Sequence, residues 1–153
     1  MSKPIPEGYP QVTPYLIVDG ANAAIDFYCS VLGASERMRM PMPDGRVGHA
    51  ELELGDSIIM LADENPQMEI RGPAAIGGTP VSLHVYVEDS DATFERAVQA
   101  GAKALRPVED RFYGDRSGQF QDPFGHRWDV STHVEDVPPE EMSKRAEAAM
   151  ATG

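Results

Sequence analysis

At 153 residues the chain has the length of one ordinary domain, and its 25 Asp and Glu against 13 Lys and Arg give a formal net charge of -12, which repels nucleic-acid phosphates and anionic membrane surfaces. No run approaches the roughly 20 apolar residues that cross a bilayer, and Met1-Ser2-Lys3-Pro4 leads into Pro6, Glu7 and Gly8 rather than an apolar signal core. The single cysteine, Cys29, has no partner for an intrachain disulfide. The expectation is a cytoplasmic protein in a reducing compartment with no nucleic-acid or membrane partner, and with Cys29 as a small filler on a helix.

The first element is an alternating apolar run from Val12, VTPYLIV, which turns at Asp19-Gly20 into a helix-period pattern carried by Ala24, Phe27, Tyr28, Val31 and Leu32. Gly33 stops that helix, since glycine accepts the left-handed conformation found just past helix ends. The period then falls to two. Met38, Met40 and Met42 alternate toward a turn at Pro43-Asp44-Gly45, Gly48 to Leu54 (GHAELEL) alternates again, Gly55-Asp56 turns, and Ser57 to Ala62 (SIIMLA) makes another strand. Residues 63–80 are rich in Pro and Gly and read as a linking loop.

The segment Val81 to Ala102, VSLHVYVEDSDATFERAVQAGA, then repeats Val12 to Ala34 with one residue of length difference. Its helix is marked by Phe94, Ala97 and Val98 and stops at Gly101. KALRPVED opens the second set of strands, Gly114-Asp115 and Ser117-Gly118 punctuate it, and Asp122 to Gly125 (DPFG) turns into HRWDVSTH. Residues 134–153 form a tail. Its helical stretch, Glu140 to Met150, runs from acidic to basic as a helix dipole favours and suits a surface or dimer-contact appendage.

The order βαβββ thus occurs twice, over residues 10–62 and 81–133, within a single α+β domain. Each helix covers one face of a curved mixed sheet and leaves the other face for a second task. Two such sheets paired around a cleft would enclose a small-molecule pocket.

Strand alternation assigns residues to that cleft. If Leu52 and Leu54 face their helix, His49, Glu51 and Glu53 face the cleft. Ser82, His84 and Tyr86 share one parity, as do Asp129, Ser131 and His133. Tyr15 shares the cleft parity, and Phe112 and Tyr113 stand at the rim before Gly114. His49, Glu51, His84, Asp129 and His133 form a set of donors and acids with three readings: a divalent-metal site, a metal-free polar site acting by acid and base chemistry, or structural histidines. Arg116 either offers a bidentate fork to a ligand's anionic group or pairs locally in its loop. Trp128 is out of phase with Asp129 and reads as core, and the acidic patches read as solvated surface.

Four stretches, VTPYLIVDGANAAIDFY, PDGRVGHAELELGDSIIMLADE, VSLHVYVEDSDATFERAVQAGA and FYGDRSGQFQDPFGHRWDVSTH, together resemble the vicinal oxygen chelate superfamily. This is the glyoxalase, bleomycin-resistance and extradiol-dioxygenase group, and the resemblance is to its PhnB-like branch. It implies paired βαβββ units, a homodimer, a small-molecule ligand and, in catalytic members, a divalent metal. Glyoxalase-type members draw metal ligands from the first and last strands of each unit. The matching positions are Thr13, a residue near Met60, Ser82 or its same-face neighbour His84, and Asp129. Thr and Met are poor ligands for such metals, so the resemblance leaves His84 and Asp129 as metal ligands. It implies a site for a small polar or aromatic compound, with a metal-dependent lyase, isomerase or dioxygenase as the alternative.

Overall fold

The computed structural model describes residues 2–152. Its elements run β1 (Tyr15–Val18), α1 (Ala21–Leu32), β2 (Ser35–Pro41), β3 (Val47–Leu54), β4 (Ser57–Asp63), α2 (Pro73–Ile76), β5 (Ser82–Tyr86), α3 (Ser90–Gln99), β6 (Lys103–Asp110), β7 (Asp115–Gln121), β8 (Arg127–His133) and α4 (Pro139–Thr152). The fold is α+β, with two four-stranded mixed sheets ordered β1-β4-β3-β2 and β5-β8-β7-β6. In each, the first and last strands pair in parallel and the other pairs are antiparallel. The segment expected as a plain loop also carries a 3-10 turn at Pro66–Met68 and the short α2.

The chain divides into two compact units. One runs up to Pro80 and includes Pro123–Gly125; the other comprises Val81–Asp122 and His126 onward.

In the first unit the apolar stripe of α1 and one sheet face make the core. Leu16, Val18, Ala50, Leu52, Ile59 and Leu61 are buried with Ala24, Ile25, Tyr28, Val31 and Leu32, each large side chain contributing roughly 1.5–3 kcal/mol. Gly20 precedes α1 with φ 106 and has no side chain to cap it. Asp63, at the end of β4, substitutes by accepting from the Gly20 and Ala21 N–H groups at 2.7 and 2.8 Å, and from Val47 N–H at 2.8 Å. The tip of the β7–β8 turn clusters with this unit, where the Phe124 ring lies 6.4 Å from the rings of both Phe27 and Tyr28.

In the second unit Phe120, Trp128 and Val130 are buried with Ala97 of α3. The Trp128 Nε1–H donates to Asp122 Oδ2 at 2.9 Å. α3 is capped by Asp89, whose carboxylate accepts from Ala92 N–H, and by Thr132 Oγ1, which accepts from Ser90 N–H at 2.9 Å. Gly118 lets β7 approach closely, because a Cβ there would come 2.7 Å from Val108 and 3.1 Å from Phe94.

Candidate functional site

The sheet face of the first unit opposite α1 carries the densest polar network. Register places Tyr15 and Glu51 on either side of Met60, Met38 beside Glu51, and Met40 beside His49. Side chains paired in this way project to one face. Tyr9 Oη donates to Glu51 Oε1 at 2.7 Å, His49 Nε2 lies 2.9 Å from Glu51 Oε2, and Tyr15 Oη lies 2.9 Å from His49 Nδ1. The Arg37 guanidinium stacks 4.6 Å above the Tyr9 ring. Glu51 is 4% exposed, while Tyr15, at the far end of the chain of bonds, is 48% exposed.

The charges follow from these bonds. Hydrogen bonds from His49 and then from Tyr9 hold the Glu51 carboxyl below its ordinary range, against the opposing effect of burial. Partial burial and the nearby Glu51 charge push the Tyr15 phenol above its ordinary range. An ionised Glu51 only accepts hydrogen bonds, so His49 Nε2 carries a proton. With a neutral ring, Nδ1 is then an acceptor for the Tyr15 hydroxyl, a tautomer assigned from the network.

The second unit builds a different network on its corresponding face. Buried Asp115 accepts from Tyr86 Oη at 3.0 Å and pairs with His133 Nδ1 at 2.9 Å, and His133 Nε2 reaches Asp136 at 2.7 Å. Bonds to Asp115 and then Asp136 raise the His133 pKa, and the bond to Asp115 raises that of Tyr86. The His84 ring lies 5.0 Å from that of Tyr86, and His84 sits beside Asp129 in the register. Ser82 lies on the same face at the start of β5. Ser131 is wholly buried there, its hydroxyl without a hydrogen-bond partner.

Phe112 and Tyr113 occupy the β6–β7 turn, edge to face with centroids 5.2 Å apart. The Arg116 side chain lies on the other side of β7, where its guanidinium binds both Asp91 oxygens at 2.7 and 3.1 Å and Asp110 at 3.2 Å. That engagement is with α3 and β6, so the Arg116 fork is already occupied by carboxylates. The structure thus gathers His49, Glu51 and Met60 in one unit and Ser82, His84, Tyr86, Asp129 and His133 in the other.

Two partners in these networks, Tyr9 and Asp115, are not assigned to a site by the sequence pattern. Tyr9 precedes β1 in a Pro- and Gly-bearing stretch with no periodicity to mark it. Asp115 was legible in principle, since it shares parity with Ser117, but the Gly-Asp pair signals a turn more strongly than the start of a strand.

Residues 9–130 match the Glyoxalase/Bleomycin resistance protein/Dioxygenase superfamily. The chain belongs to this superfamily. An uncharacterized protein of Mycobacterium tuberculosis H37Rv is 43% identical over 136 residues, covering 87% of this chain and 80% of the relative. Among solved structures, a Pseudomonas aeruginosa protein superposes with a TM-score of 0.66 at 28% identity, covering 82% of this chain and 99% of its own. A PhnB protein from Bacillus cereus superposes with a TM-score of 0.65 at 20% identity, covering 80% and 99%, a likeness of fold.

Superfamily membership raises the question of a divalent metal, which the donor set answers. Among the described residues no three His, Cys, Asp or Glu side chains are grouped to hold a metal ion. β1 begins at Tyr15, so Thr13, expected on the first strand, lies before it and Tyr15 is the residue in register with Met60 on β4; these positions offer only weak ligands, and His84 and Asp129 supply two donors on β5 and β8. Three or more protein donors are the usual requirement, so these residues do not fit a glyoxalase-type centre.

Proposed function

We propose that this superfamily member binds a small polar or aromatic compound through side-chain hydrogen bonds on the α1-free face of the first unit. The observation that carries this reading is the bonded series Tyr9–Glu51–His49–Tyr15, which ends on a half-exposed phenol bordered by methionine. Ordered polar groups beside adaptable apolar side chains are what a small-molecule site uses to orient and to bury its ligand. The homodimer and the cytoplasmic setting belong to the same proposal. The alternative, a metal-dependent lyase, isomerase or dioxygenase, has only the His84 and Asp129 pair in its support.

Thermal denaturation across a panel of small aromatic and polar compounds tests the reading. A compound selective for the native state must raise the melting temperature, by about 2.7 kcal/mol of stabilisation at a hundredfold excess over its Kd. The gain should shrink, without vanishing, in Tyr15→Phe and His49→Gln. A panel with no stabilising compound, alongside stabilisation by zinc or manganese lost in Asp129→Asn, would transfer support to the alternative.

A further inference from the structure

The polarity of the first unit's network sets what can dock on it. Glu51 accepts at both oxygens, from Tyr9 and from His49. With the His49 ring neutral and its proton on Nε2, the tautomer assigned above, Nδ1, 2.9 Å from Tyr15 Oη, accepts from Tyr15, so the Tyr15 proton points inward and its oxygen lone pairs face outward. A ligand meeting Tyr15 is therefore asked for a proton donor. A permanent anion is disfavoured there by Glu51 and by the net charge of -12. Met38, Met40 and Met60 flank the network on the same face and suit the faces and edges of a planar ring.

We propose that Tyr15, His49 and Glu51 form a metal-free proton relay that ionises a small planar compound bearing a weakly acidic hydroxyl. The inference rests on the binding reading above. The ligand O–H bond breaks and its proton forms a new bond to Tyr15 Oη. The original Tyr15 proton passes to His49 Nδ1, giving an imidazolium held by Glu51. Tyr15 then donates to the ligand oxyanion and His49 donates to Tyr15, so the two bonds on either side of Tyr15 reverse direction while Glu51 goes on accepting from Tyr9 and His49, with no atom lost and no oxidant or reductant needed. Tyr15 is the group that touches the ligand, and His49 and Glu51 act through it.

The probe is 4-nitrophenol, whose phenolate is coloured and whose neutral form is not. At a pH where the free probe is mostly neutral, calorimetry measures binding and visible absorbance measures ionisation of the bound probe. The expected result is binding with the bound phenolate-to-phenol ratio raised about tenfold over free probe, one pKa unit. In His49→Gln and Tyr15→Phe, checked for folding by circular dichroism, the ratio of the bound probe should return to that of free probe. Binding of neutral probe by the wild type would overturn the relay and leave the binding reading standing. Equal ionisation in the wild type and His49→Gln would also overturn it, and absence of binding would overturn the ligand class while the wider panel still judges the binding reading.

Discussion

Asp63 and Thr132 perform one task in the two units: each stands on the strand parallel to its unit's first strand and presents an oxygen to the N-terminus of that unit's helix. The first helix has no cap of its own, and Asp63 serves three backbone donors while lying 3.1 Å from Arg46. Asp63→Ala should destabilise the protein by about 3 kcal/mol, since it strands buried N–H groups that were bonded to a charge. Thr132→Val should cost only about 1 kcal/mol, because Asp89 still caps α3. Urea denaturation of both variants checks the order; equal losses would mean that Asp63 does not bear the helix.

Asp122 ties the DPFG turn to the core. Its Oδ2 accepts from the buried Trp128 Nε1–H at 2.9 Å and its Oδ1 from His126 N–H at 3.0 Å. Asp122→Ala should cost about 2–4 kcal/mol, because the indole donor stays buried without this partner. Trp128 is the sole tryptophan, so intrinsic fluorescence reports its environment directly. An unchanged spectrum and urea midpoint would show that the indole finds another acceptor at no cost.

The duplication and the helix and strand pattern were legible because they are local. Alternation in GHAELEL put His49 and Glu51 on one face, and the shift in period after Gly33 separated helix from strand. Pairing across strands was not legible to the same degree. Nothing local says that Asp63 reaches back to Gly20, that Tyr9 meets Glu51 across 42 residues of chain, or that Arg116 crosses to Asp91 rather than staying in its loop. These contacts depend on strand order, which fixes neighbours that the alternation of a single strand leaves open.

His133 should make stability fall with rising pH. Its folded pKa is raised by bonds to Asp115 and Asp136, so the charged ring is favoured in the native state. That contribution is complete below the ordinary imidazole value of about 6.5 and disappears as pH climbs through the raised native value. Urea midpoints from about pH 5 to about pH 9 should decline less steeply in His133→Gln than in the wild type. Parallel curves would show that these bonds do not outlast solvent competition at a half-exposed ring.

Glu51 should act in the opposite direction and at lower pH. Its folded pKa is lowered by His49 and then Tyr9, so its contribution is present above the ordinary carboxyl value of about 4.3 and is lost as pH falls through the depressed native value. Glu51→Gln removes that dependence and changes the hydrogen-bond polarity of the site. The amide can accept from Tyr9 or His49 through its one oxygen but turns a donor toward the other, so one half-buried donor must turn away or lose its partner. The expected cost is about 1–3 kcal/mol at neutral pH, shrinking as the wild type is acidified. Glu51→Asp retains the charge but withdraws it by one methylene, and should keep the acid dependence while weakening at least one of the two bonds. A neutral-pH urea midpoint unchanged in Glu51→Gln would mean that the carboxylate neither polarises His49 nor holds Tyr9, leaving the Tyr15 hydroxyl without a directed network behind it.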